Sequence, residues 1–470
     1  MHSKLSLVGA AVALSLAAAT AYAAPRSYII AATGALPADL AAKVTAAGGT
    51  VTKTMPELGL AVATAPKTSF AAAATKIPGV RSVVPDIVTQ WLPRNEQQIE
   101  YTNEFGYPPS SGDNDTRFDL QWGHTAVDAV GAWNLGFRGA GATVAVLDGG
   151  FDLDHADLAA GIDAAVSFVP GESPSYAIND PFSHGTHTAG TIGARDNGIG
   201  TIGVAPDARL VLVKVLNDAG SGAFSWIING IYYAALRGDV DVINMSLGAT
   251  LLKNGFIDDN GTPTDPSDDY KVGAQEVAEL LRAVNSATTF AYQRGVTVIA
   301  SAGNDAINGD KDMALVHTPS DGPHVIAISA TAPIGWAKAP ATAFLDHLAS
   351  YSNYGASVIE FAAPGGDSAY PGNENCTIGG LARPCWVFDL VFSTGSNLNP
   401  AVASYYWSAG TSMAAPHAAG VAAIIVGKNG GKMSPAQIEA ALRASADDLG
   451  KPGNDPAYGA GRVNAARAVQ

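Results

Sequence analysis

The sequence predicts an α/β protein, in which a large domain with a parallel central sheet flanked by helices follows a small α+β unit. Two observations support this prediction. From Phe118 to the C-terminus, short runs rich in Val, Ile and Leu alternate with helical patterns, which is typical of buried parallel strands joined by helices. Residues 26–88 instead follow the order β-α-β-β-α-β, which is typical of a ferredoxin-like unit.

The elements of the small unit can be read in order along the chain. Its strand candidates are RSYIIAA, VTKTM, GLAVAT and VRSVV, and its helix candidates are PADLAAKVTAAGG and KTSFAAAATKIPG. Each helix pattern ends near Gly or Pro, as expected for helix termini. The polar stretch PRNEQQIEYTNEFGYPPSSGDNDTR follows with little apolar periodicity, and we interpret it as a linker or a surface arm.

The large domain contains five strong strand candidates and four strong helix candidates. The strands are TVAVL (143–147), LVLVKV (210–215), DVINMS (241–246), VTVIA (296–300) and HVIAIS (324–329), and the helices span 224–238, 274–295, 412–427 and 434–445. Open parallel sheets bind ligands beyond the carboxyl ends of their strands. We therefore expect the functional site at that edge.

Composition limits the classes of partner. The chain has 470 residues, of which 47% are hydrophobic and 15% charged, and this is typical of a globular protein. Its formal net charge of -15 disfavours nucleic acids and anionic membranes, because both bind clustered Lys and Arg. We expect neither a nucleic-acid partner nor a membrane anchor.

The N-terminus has the pattern of a secretory signal, residues 1–23. Lys4 precedes an apolar run, and Ala21-Tyr22-Ala23 forms an A-x-A cleavage site. A membrane anchor is the alternative, but spanning requires about 20 apolar residues and this run is shorter. In an exported chain the only two cysteines, Cys376 and Cys385, are expected to form a disulfide, the alternative being two reduced thiols.

Three polar residues lie at element termini and are flanked by small residues. Asp148 directly follows the strand TVAVL, His184 lies in SHGTHTAG, and Ser412 opens the helix after AGT. Acyl transfer needs such a set: a serine nucleophile, a histidine that takes its proton, and a carboxylate that orients the histidine. Each residue alone has a plain structural alternative, as a turn residue, a buried histidine or an N-cap.

The segments VAVLDGG, HGTHTAG and GTSMAAPHAAG resemble the Asp, His and Ser signatures of the subtilisin-like serine protease family, in its chain order. GVAPDARLVLVKVL, GSGAFSWI, VINMSLG, ASAGN and GRVNAARAV also match, so the resemblance covers about residues 113–470. It implies a subtilisin-like peptidase domain, a secreted or periplasmic endopeptidase acting on proteins or peptides, and a monomer. The G-x-S-x-G elbow of α/β-hydrolases fits less well, because Ala414 replaces its last glycine and the serine comes last.

The resemblance also assigns residues around the triad. It implies that Asp148 orients His184, that His184 rather than His187 is the base, and that Ser412 attacks the carbonyl. Asn304 and the backbone N–H of Ser412 would stabilise the oxyanion. Substrate would add as a strand beside two segments, Gly220, Ser221, Gly222 and Ser246, Leu247, Gly248, although both could be plain loops.

A calcium site is a further expectation from the resemblance. The loop ARDNGIGTIG has the length of the family's calcium loop, and a Gly-containing turn is the alternative. Oxygen ligands drawn from several segments suit Ca²⁺. The candidate ligands are the side chains of Asp115, Asp157 and Asn197 and the backbone carbonyls of Arg195, Ile199 and Thr201.

The sequence departs from the family pattern in several places. Gly149 stands where a hydroxyl residue is usual, and Thr318-Pro319 stands where an aromatic residue often precedes a cis proline. His317 is expected near the base of the pocket for the substrate residue before the scissile bond, where it would favour acidic or polar side chains. Insertions occupy residues 249–275 and 365–392; the first carries Asp258, Asp259, Asn260, Asp265, Asp268 and Asp269, which form either a calcium site or a solvated acidic loop.

The resemblance makes residues 24–112 an inhibitory prosegment whose end lies in the cleft like substrate. The polar stretch after Pro93 is the expected place of cleavage, and a permanent accessory domain is the alternative. Two other functions stay open at this point. The chain could be an inactive or catalytically weak peptide-binding pseudoprotease, or a hydrolase of non-peptide esters.

Overall fold

A computed structural model describes residues 25–94, 96–101, 114–258 and 269–470. The expected signal at 1–23 lies outside these residues. So do Asp259, Asn260, Asp265 and Asp268 of the acidic insertion, and therefore the structure leaves its calcium alternative a prediction.

The N-terminal unit is a four-stranded antiparallel sheet with two helices. Its elements are β1 (Arg26–Ala32), α1 (Leu40–Ala46), β2 (Thr50–Met55), β3 (Leu60–Ala65), α2 (Phe70–Ala74) and β4 (Val80–Pro85). The strand order is β2-β3-β1-β4, and the inner strands alternate between two apolar faces. Tyr28 and Ile30 pack against the two helices, whereas Ile29 and Ala31 face the larger domain.

Two short strands connect this unit to the larger domain. They are β5 (Val88–Gln90) and β6 (Gln97–Glu100), and each pairs with a strand of the larger domain. Within residues 93–117, expected to be a linker or a surface arm, Gln97–Glu100 form an edge strand, which the sequence did not predict. Four polar-rich residues carry no period that identifies a strand, and their pairing partner lies about 300 positions later in the chain.

The larger domain alternates strands and helices. In order it contains α3 (Trp122–Ala126), α4 (Ala129–Asn134), β7 (Thr143–Asp148), β8 (Ile162–Ser167), α5 (His184–Gly193), β9 (Arg209–Lys214), β10 (Ser221–Ala223), α6 (Phe224–Arg237), β11 (Val242–Met245), β12 (Ala249–Leu252), β13 (Gly255–Asp258), β14 (Tyr270–Gly273), α7 (Ala274–Gln293), β15 (Thr297–Ser301), β16 (Leu315–Thr318), β17 (Val325–Ala332), β18 (His347–Leu348), β19 (Phe361–Pro364), β20 (Asn375–Ile378), β21 (Leu381–Pro384), β22 (Val391–Thr394), β23 (Tyr405–Ala409), α8 (Thr411–Lys428), α9 (Pro435–Ser445) and α10 (Ala465–Val469).

The central sheet has the strand order β18-β17-β15-β11-β7-β9-β8, with β19 also paired to β17. All of these pairs are parallel except β17 with the two-residue edge strand β18. The predicted parallel sheet is thus confirmed, with one antiparallel edge. The five predicted strands each match a strand of this sheet within a few residues, whereas β8, β18 and β19 were missed.

Helices cover both faces of the sheet. Helix α8 and helix α5 pack on one face, while α6 and α7 pack on the other and also contact the N-terminal unit. Helix α8 is buried from Thr411 to Val426, which explains its lack of a polar face. This burial fixes the start of α8, where Ser412 lies, against the carboxyl ends of the strands.

The second insertion contains a hairpin closed by a disulfide. Strands β20 and β21 pair antiparallel, and Cys376 and Cys385 are bonded with a Cα–Cα distance of 4.8 Å. The predicted pairing of the two cysteines is therefore present. The Thr318-Pro319 peptide bond is cis.

Candidate active site

Asp148 is the last residue of the inner strand β7, at the carboxyl edge of the sheet, and it is fully buried. Its carboxylate accepts hydrogen bonds from the backbone N–H of Gly149 at 2.7 Å and from the hydroxyl of Thr188 at 3.3 Å. The hydroxyl that Gly149 lacks is thus replaced by the residue's own N–H and by Thr188. These donors orient the carboxylate without a side chain at position 149.

His184 begins helix α5, whose N-cap Ser183 accepts a hydrogen bond from the N–H of Thr186. The Nδ1 atom of His184 lies 2.9 Å from each carboxylate oxygen of Asp148. This contact fixes the ring with Nδ1–H toward the carboxylate and Nε2 toward the cleft. It is the arrangement that general-base catalysis by Nε2 requires.

Ser412 occupies the second position of α8, where backbone N–H groups have no partner within the helix. Asn304 follows β15, and its Oδ1 accepts hydrogen bonds from the N–H and the hydroxyl of Thr411. The amide nitrogen of Asn304 therefore faces away from Thr411, and it lies 3.0 Å from where a Cβ on Gly410 would be. The structure brings Asn304 to the N-terminus of the helix that carries Ser412.

The structure also places Glu96 of the connecting segment in this site, which the sequence reading missed. Its Oε2 lies 3.4 Å from Nε2 of His184, and its Oε1 lies 2.8 Å from the Cβ position of Gly410. Among the described residues neither Nε2 nor Oε1 has a hydrogen-bond partner, and both are buried. The carboxylate thus occupies the space between the histidine and the Asn304 amide.

Charges around His184 favour its protonated form. Burial lowers its pKa, but the carboxylates of Asp148 and Glu96 outweigh burial and raise the pKa to about 10. An imidazolium cannot accept the proton of Ser412. In this form of the chain, His184 is therefore protonated, and it could act as a base only after losing that proton.

The alternative base His187 and the nearby acid Asp152 are engaged elsewhere. Burial, and the charge of His184, lower the pKa of His187 to about 3, and its Nε2 lies 3.2 Å from the carbonyl of Val391. Asp152 accepts a hydrogen bond from the N–H of Asn397. Of the acids near the strand end, Asp148 is the one that contacts His184.

On the amino side of Glu96, the connecting segment binds as an added strand. Strand β5 pairs antiparallel with β10, so that Gln90 lies opposite Ser221. The indole of Trp91 is fully buried and donates to the carbonyl of Gly222 at 2.9 Å. The N–H of Trp91 donates to the carbonyl of Gly220, and its carbonyl accepts from the N–H of Gly248, both at 3.0 Å.

Four of the predicted substrate residues thus contact an extended chain: Gly220, Ser221, Gly222 and Gly248. Ser246 and Leu247 of the same motif are fully buried. The hydroxyl of Ser246 accepts a hydrogen bond from the Asn244 side chain, and Leu247 belongs to the core beside α6. Their side chains support the segment that Gly248 presents.

On the carboxyl side of Glu96, the segment joins a different sheet. Strand β6 pairs antiparallel with β23, which also pairs with β22. Tyr101 packs edge-on against Phe392 and tilted against Trp407, with ring centroids 5.4 and 5.6 Å apart. The guanidinium of Arg117 lies over the Tyr101 ring. Residues 88–94 and 96–101 therefore lie along the cleft on both sides of the Glu96 contact with His184.

The candidate calcium residues gather around the loop after α5. Asp115 and Asp157 are both fully buried. Asp115 accepts hydrogen bonds from the N–H groups of Asn197 and Gly198, while Asp157 accepts from the N–H of Thr201. Burial raises the pKa of Asp157 to about 7, and the nearby charge of Asp115 adds to this.

These residues fit a cation. Oδ1 of Asp157 is buried without a hydrogen-bond partner among the described residues, and two buried carboxylates close together favour a positive ion between them. Within the described ranges no three His, Cys, Asp or Glu side chains converge as metal ligands. A cation would therefore also need Asn197 and the carbonyls of Arg195, Ile199 and Thr201. The carboxamide of Asn197 now bonds backbone groups of the loop and of Ala156.

Comparison with known proteins agrees with this geometry. Residues 139–461 match the model of the subtilase family, Peptidase S8. The chain is 37% identical over 356 residues to Subtilisin Savinase of Lederbergia lenta, which covers 75% of this chain and 99% of that protein. It is also 37% identical over 356 residues to M-protease of Shouchella clausii strain KSM-K16, covering 75% of this chain and 70% of that protein.

The fold and these relatives define a serine peptidase. The chain belongs to the subtilase family, and the resemblance stated from its motifs is confirmed. Among solved structures, a lanthipeptide protease is 30% identical, covers 75% of this chain and 94% of its own, and superposes with a TM-score of 0.55. The epidermin leader peptide processing serine protease of Staphylococcus aureus shares the fold, with a TM-score of 0.69 at 20% identity, over 95% of this chain and 98% of its own.

In residues 25–94, 96–101, 114–258 and 269–470, no helix combines the length and the apolar character that crossing a bilayer requires.

Proposed function

We propose that the chain is a secreted serine endopeptidase that hydrolyses peptide bonds through an Asp148–His184–Ser412 triad and an acyl-enzyme intermediate. The observation that carries this is the contact of Nδ1 of His184 with both oxygens of a buried Asp148, together with Ser412 at the second position of helix α8. His184 takes the proton of Ser412 as the hydroxyl attacks the carbonyl carbon, and then gives it to the leaving amine. Water repeats the sequence to release the acyl group.

The oxyanion is stabilised by donors that are already in place. The amide of Asn304 is oriented by its two bonds from Thr411, and the N–H of Ser412 lies at a helix start. Extended substrate adds beside β10 and receives a hydrogen bond from Gly248, as Trp91 does in the structure. Affinity then comes mainly from backbone contacts, which suits an enzyme acting on many proteins.

A fluorophosphonate probe tests this proposal, because only an activated serine is labelled. The processed protein should be labelled at Ser412, and both labelling and casein hydrolysis should vanish in Ser412→Ala. Ser286→Ala, which removes an exposed helix hydroxyl, is the matched control. Labelling that persists in Ser412→Ala, or a wild-type protein without labelling, would exclude this triad.

The protein is made as a precursor that inhibits and then cuts itself. This part of the proposal is supported by the pairing of β5 and β6 on the two sides of the cleft and by the carboxylate of Glu96 beside Nε2 of His184. Occupancy of the cleft excludes other substrates, and the charge of Glu96 holds His184 protonated. Cutting after Pro93, followed by departure of Glu96 from the site, releases both constraints.

Calcium is the structural cofactor in this proposal, held by Asp115, Asp157, Asn197 and the loop carbonyls. Its charge would offset the repulsion between the two buried carboxylates and stabilise the folded loop. Export follows from the N-terminal pattern, and mass spectrometry of the protein in culture medium tests it. A mature chain that retains residues 1–23 would contradict export by signal cleavage.

A further inference from the structure

His317 closes the space between two segments that flank the cleft. A Cβ added to Gly248 would lie 2.1 Å from Nε2 of His317, and one added to Gly303 would lie 2.8 Å from its Cε1. Gly248 binds the chain in the cleft, and Gly303 directly precedes Asn304. The imidazole is therefore the end wall of a slot between residues 246–248 and 302–304. Only glycine leaves room for it on either side.

Hydrogen bonds fix the protonation of this ring. The hydroxyl of Thr250 donates to Oδ2 of Asp305 at 3.0 Å, since a carboxylate can only accept. The hydroxyl oxygen then accepts from Nδ1–H of His317 at 2.9 Å. Nε2 is left with its lone pair, buried and without a hydrogen-bond partner among the described residues.

The neutral ring is the favoured form. Burial lowers the pKa of His317, although the charges of Asp321 and Asp305 oppose this change. Both carboxylates are already engaged, Asp321 by the N–H of His317 and Asp305 by Thr250. The slot therefore ends in an unpaired acceptor with negative charge behind it.

The proposed triad determines which part of a substrate meets this slot. The attacked carbonyl must place its oxygen at the amide of Asn304, while the chain before it follows Gly248. The side chain of the residue that carries this carbonyl, the P1 residue, then points between 246–248 and 302–304. This step rests on the function proposed above.

We propose that His317 selects P1 side chains that are short and donate a hydrogen bond, namely those of Asn, Ser and Thr. A donor satisfies the buried Nε2, whereas an aliphatic side chain leaves it unpaired. A carboxylate at P1 would be repelled by the lone pair of Nε2 and by the negative charges of Asp305 and Asp321. Large aromatic side chains would meet the ring, which lies between the Cβ positions of Gly248 and Gly303. Of the acidic and polar side chains expected from the sequence, the geometry points to the polar ones.

The test uses quenched peptides that differ only at P1. Asn, Asp and Leu have side chains of nearly the same shape but differ in donor, charge and polarity, and Ala serves as the reference. For the processed wild-type enzyme we expect kcat/KM for Asn to exceed that for Asp and Leu by at least about 10-fold. A preference for Leu, Phe or Asp over Asn would overturn the proposal.

Two variants and a control sharpen the test. His317→Phe keeps a ring and removes the acceptor, so the ratio of Asn to Leu should fall to about one or below. His317→Gly opens the slot and should raise kcat/KM for P1 Phe by at least about 10-fold. His347→Phe, which changes an exposed histidine, should leave the profile unchanged. An unchanged ratio in His317→Phe also overturns the proposal.

The experiment distinguishes an error in the proposed function from an error in this inference. If the proposed function is wrong, the wild-type protein shows no fluorophosphonate labelling and cleaves none of the peptides. If only this inference is wrong, the enzyme is active but has another P1 profile. If His317→Phe does not fold, the wild-type series alone decides the outcome.

Discussion

The two halves of the segment that crosses the active site are bound in different ways. Before Glu96, the chain is held by backbone pairing with the glycine-lined strand β10 and by one buried anchor, Trp91. After Glu96, it is the third strand of the β22–β23 sheet, and Tyr101 lies in an aromatic cluster with Phe392 and Trp407.

The half before Glu96 is bound as a peptide ligand would be, whereas the half after Glu96 is part of the enzyme's own sheet and core. Backbone pairing to β10 can accept many extended chains, because it uses few side chains. The aromatic cluster around Tyr101 instead depends on particular side chains and belongs to the core of that region. We therefore expect the first half to leave with the prosegment after cutting, and the second half to stay with the enzyme.

Ser412→Ala should have the largest effect, because without cutting the two halves stay joined and the first half cannot leave. The precursor should fold and remain uncut between the prosegment and the peptidase domain when expressed without other proteases. The same change in subtilisin itself lowers kcat by about 10⁶. N-terminal sequencing of this variant and of Ser286→Ala checks the result, and a cut at the same junction in Ser412→Ala would contradict self-processing.

Glu96→Gln tests the junction between the halves. Removing this charge should lower the pKa of His184 from about 10, so that more of the ring is neutral at pH 7. Each lowering of the pKa by one raises the neutral fraction about tenfold, and self-cutting should accelerate accordingly. The rate of precursor shortening across pH checks this, because the rise in rate should move to lower pH.

Glu100→Gln is the matched control for this experiment, since Glu100 is exposed on the neighbouring strand β6. It should process at the wild-type rate across the whole pH range. If Glu96→Gln gives that same profile, the carboxylate does not restrain His184.

Trp91→Ala and Tyr101→Ala compare the halves directly. Losing a buried aromatic anchor costs about 2 kcal/mol or more at an interface, which is roughly 30-fold in affinity. Trp91→Ala should weaken the hold of the cut prosegment on the enzyme by this amount, while the stability of the processed enzyme stays unchanged. Tyr101→Ala should do the reverse. Activity released on dilution and melting temperature measure the two effects, and equal effects of both variants would remove the contrast.

Calcium binding should stabilise the contacts of the half after Glu96, and we expect this change in stability to be the smallest of these effects. The carboxylate of Asp157 accepts from the hydroxyl of Tyr405, whose carbonyl binds the N–H of Tyr101. The pKa of Asp157 is raised to about 7, so without a cation its contribution to stability is full below about 4 and is lost as pH rises through 7.

Calcium should therefore raise the melting temperature more at pH 8 than at pH 5. The measurement compares melting temperatures with calcium and with a chelator at each pH. Asp157→Asn should abolish most of the difference, while Asp163→Asn, on the surface beside Arg237, should keep it. A melting temperature that ignores calcium at both pH values would show that the loop binds none.

The sequence predicted those parts of the molecule whose signal is local. Asp148, His184 and Ser412 lie at the end of a strand or the start of a helix, Asn304 follows β15 closely, and the motifs around all four point to them. The disulfide was predicted for a similar reason, since only two cysteines were available. The main strands and helices follow from apolar runs and helical periodicity.

What the sequence did not show depends on contacts between distant segments. Glu96 lies in a polar stretch without period, and the pairing of β6 with β23 and of β5 with β10 brings it beside His184. The unpaired state of Nε2 in His317 follows from a bond to Thr250, 67 positions away. The sequence placed His317 near the pocket but did not show the state of its ring, and it gave no role to Glu96, because both depend on contacts between segments far apart in the chain.

The short connection between β4 and β5 has a kinetic consequence. Only Asp86 and Ile87 separate the N-terminal unit from the strand that enters the cleft, so the unit presents that strand at an effective concentration set by the chain itself. The first cut should therefore proceed at the same rate at any protein concentration. After the cut the fragment must find the enzyme by diffusion, so a concentrated sample should show a lag in activity that dilution shortens.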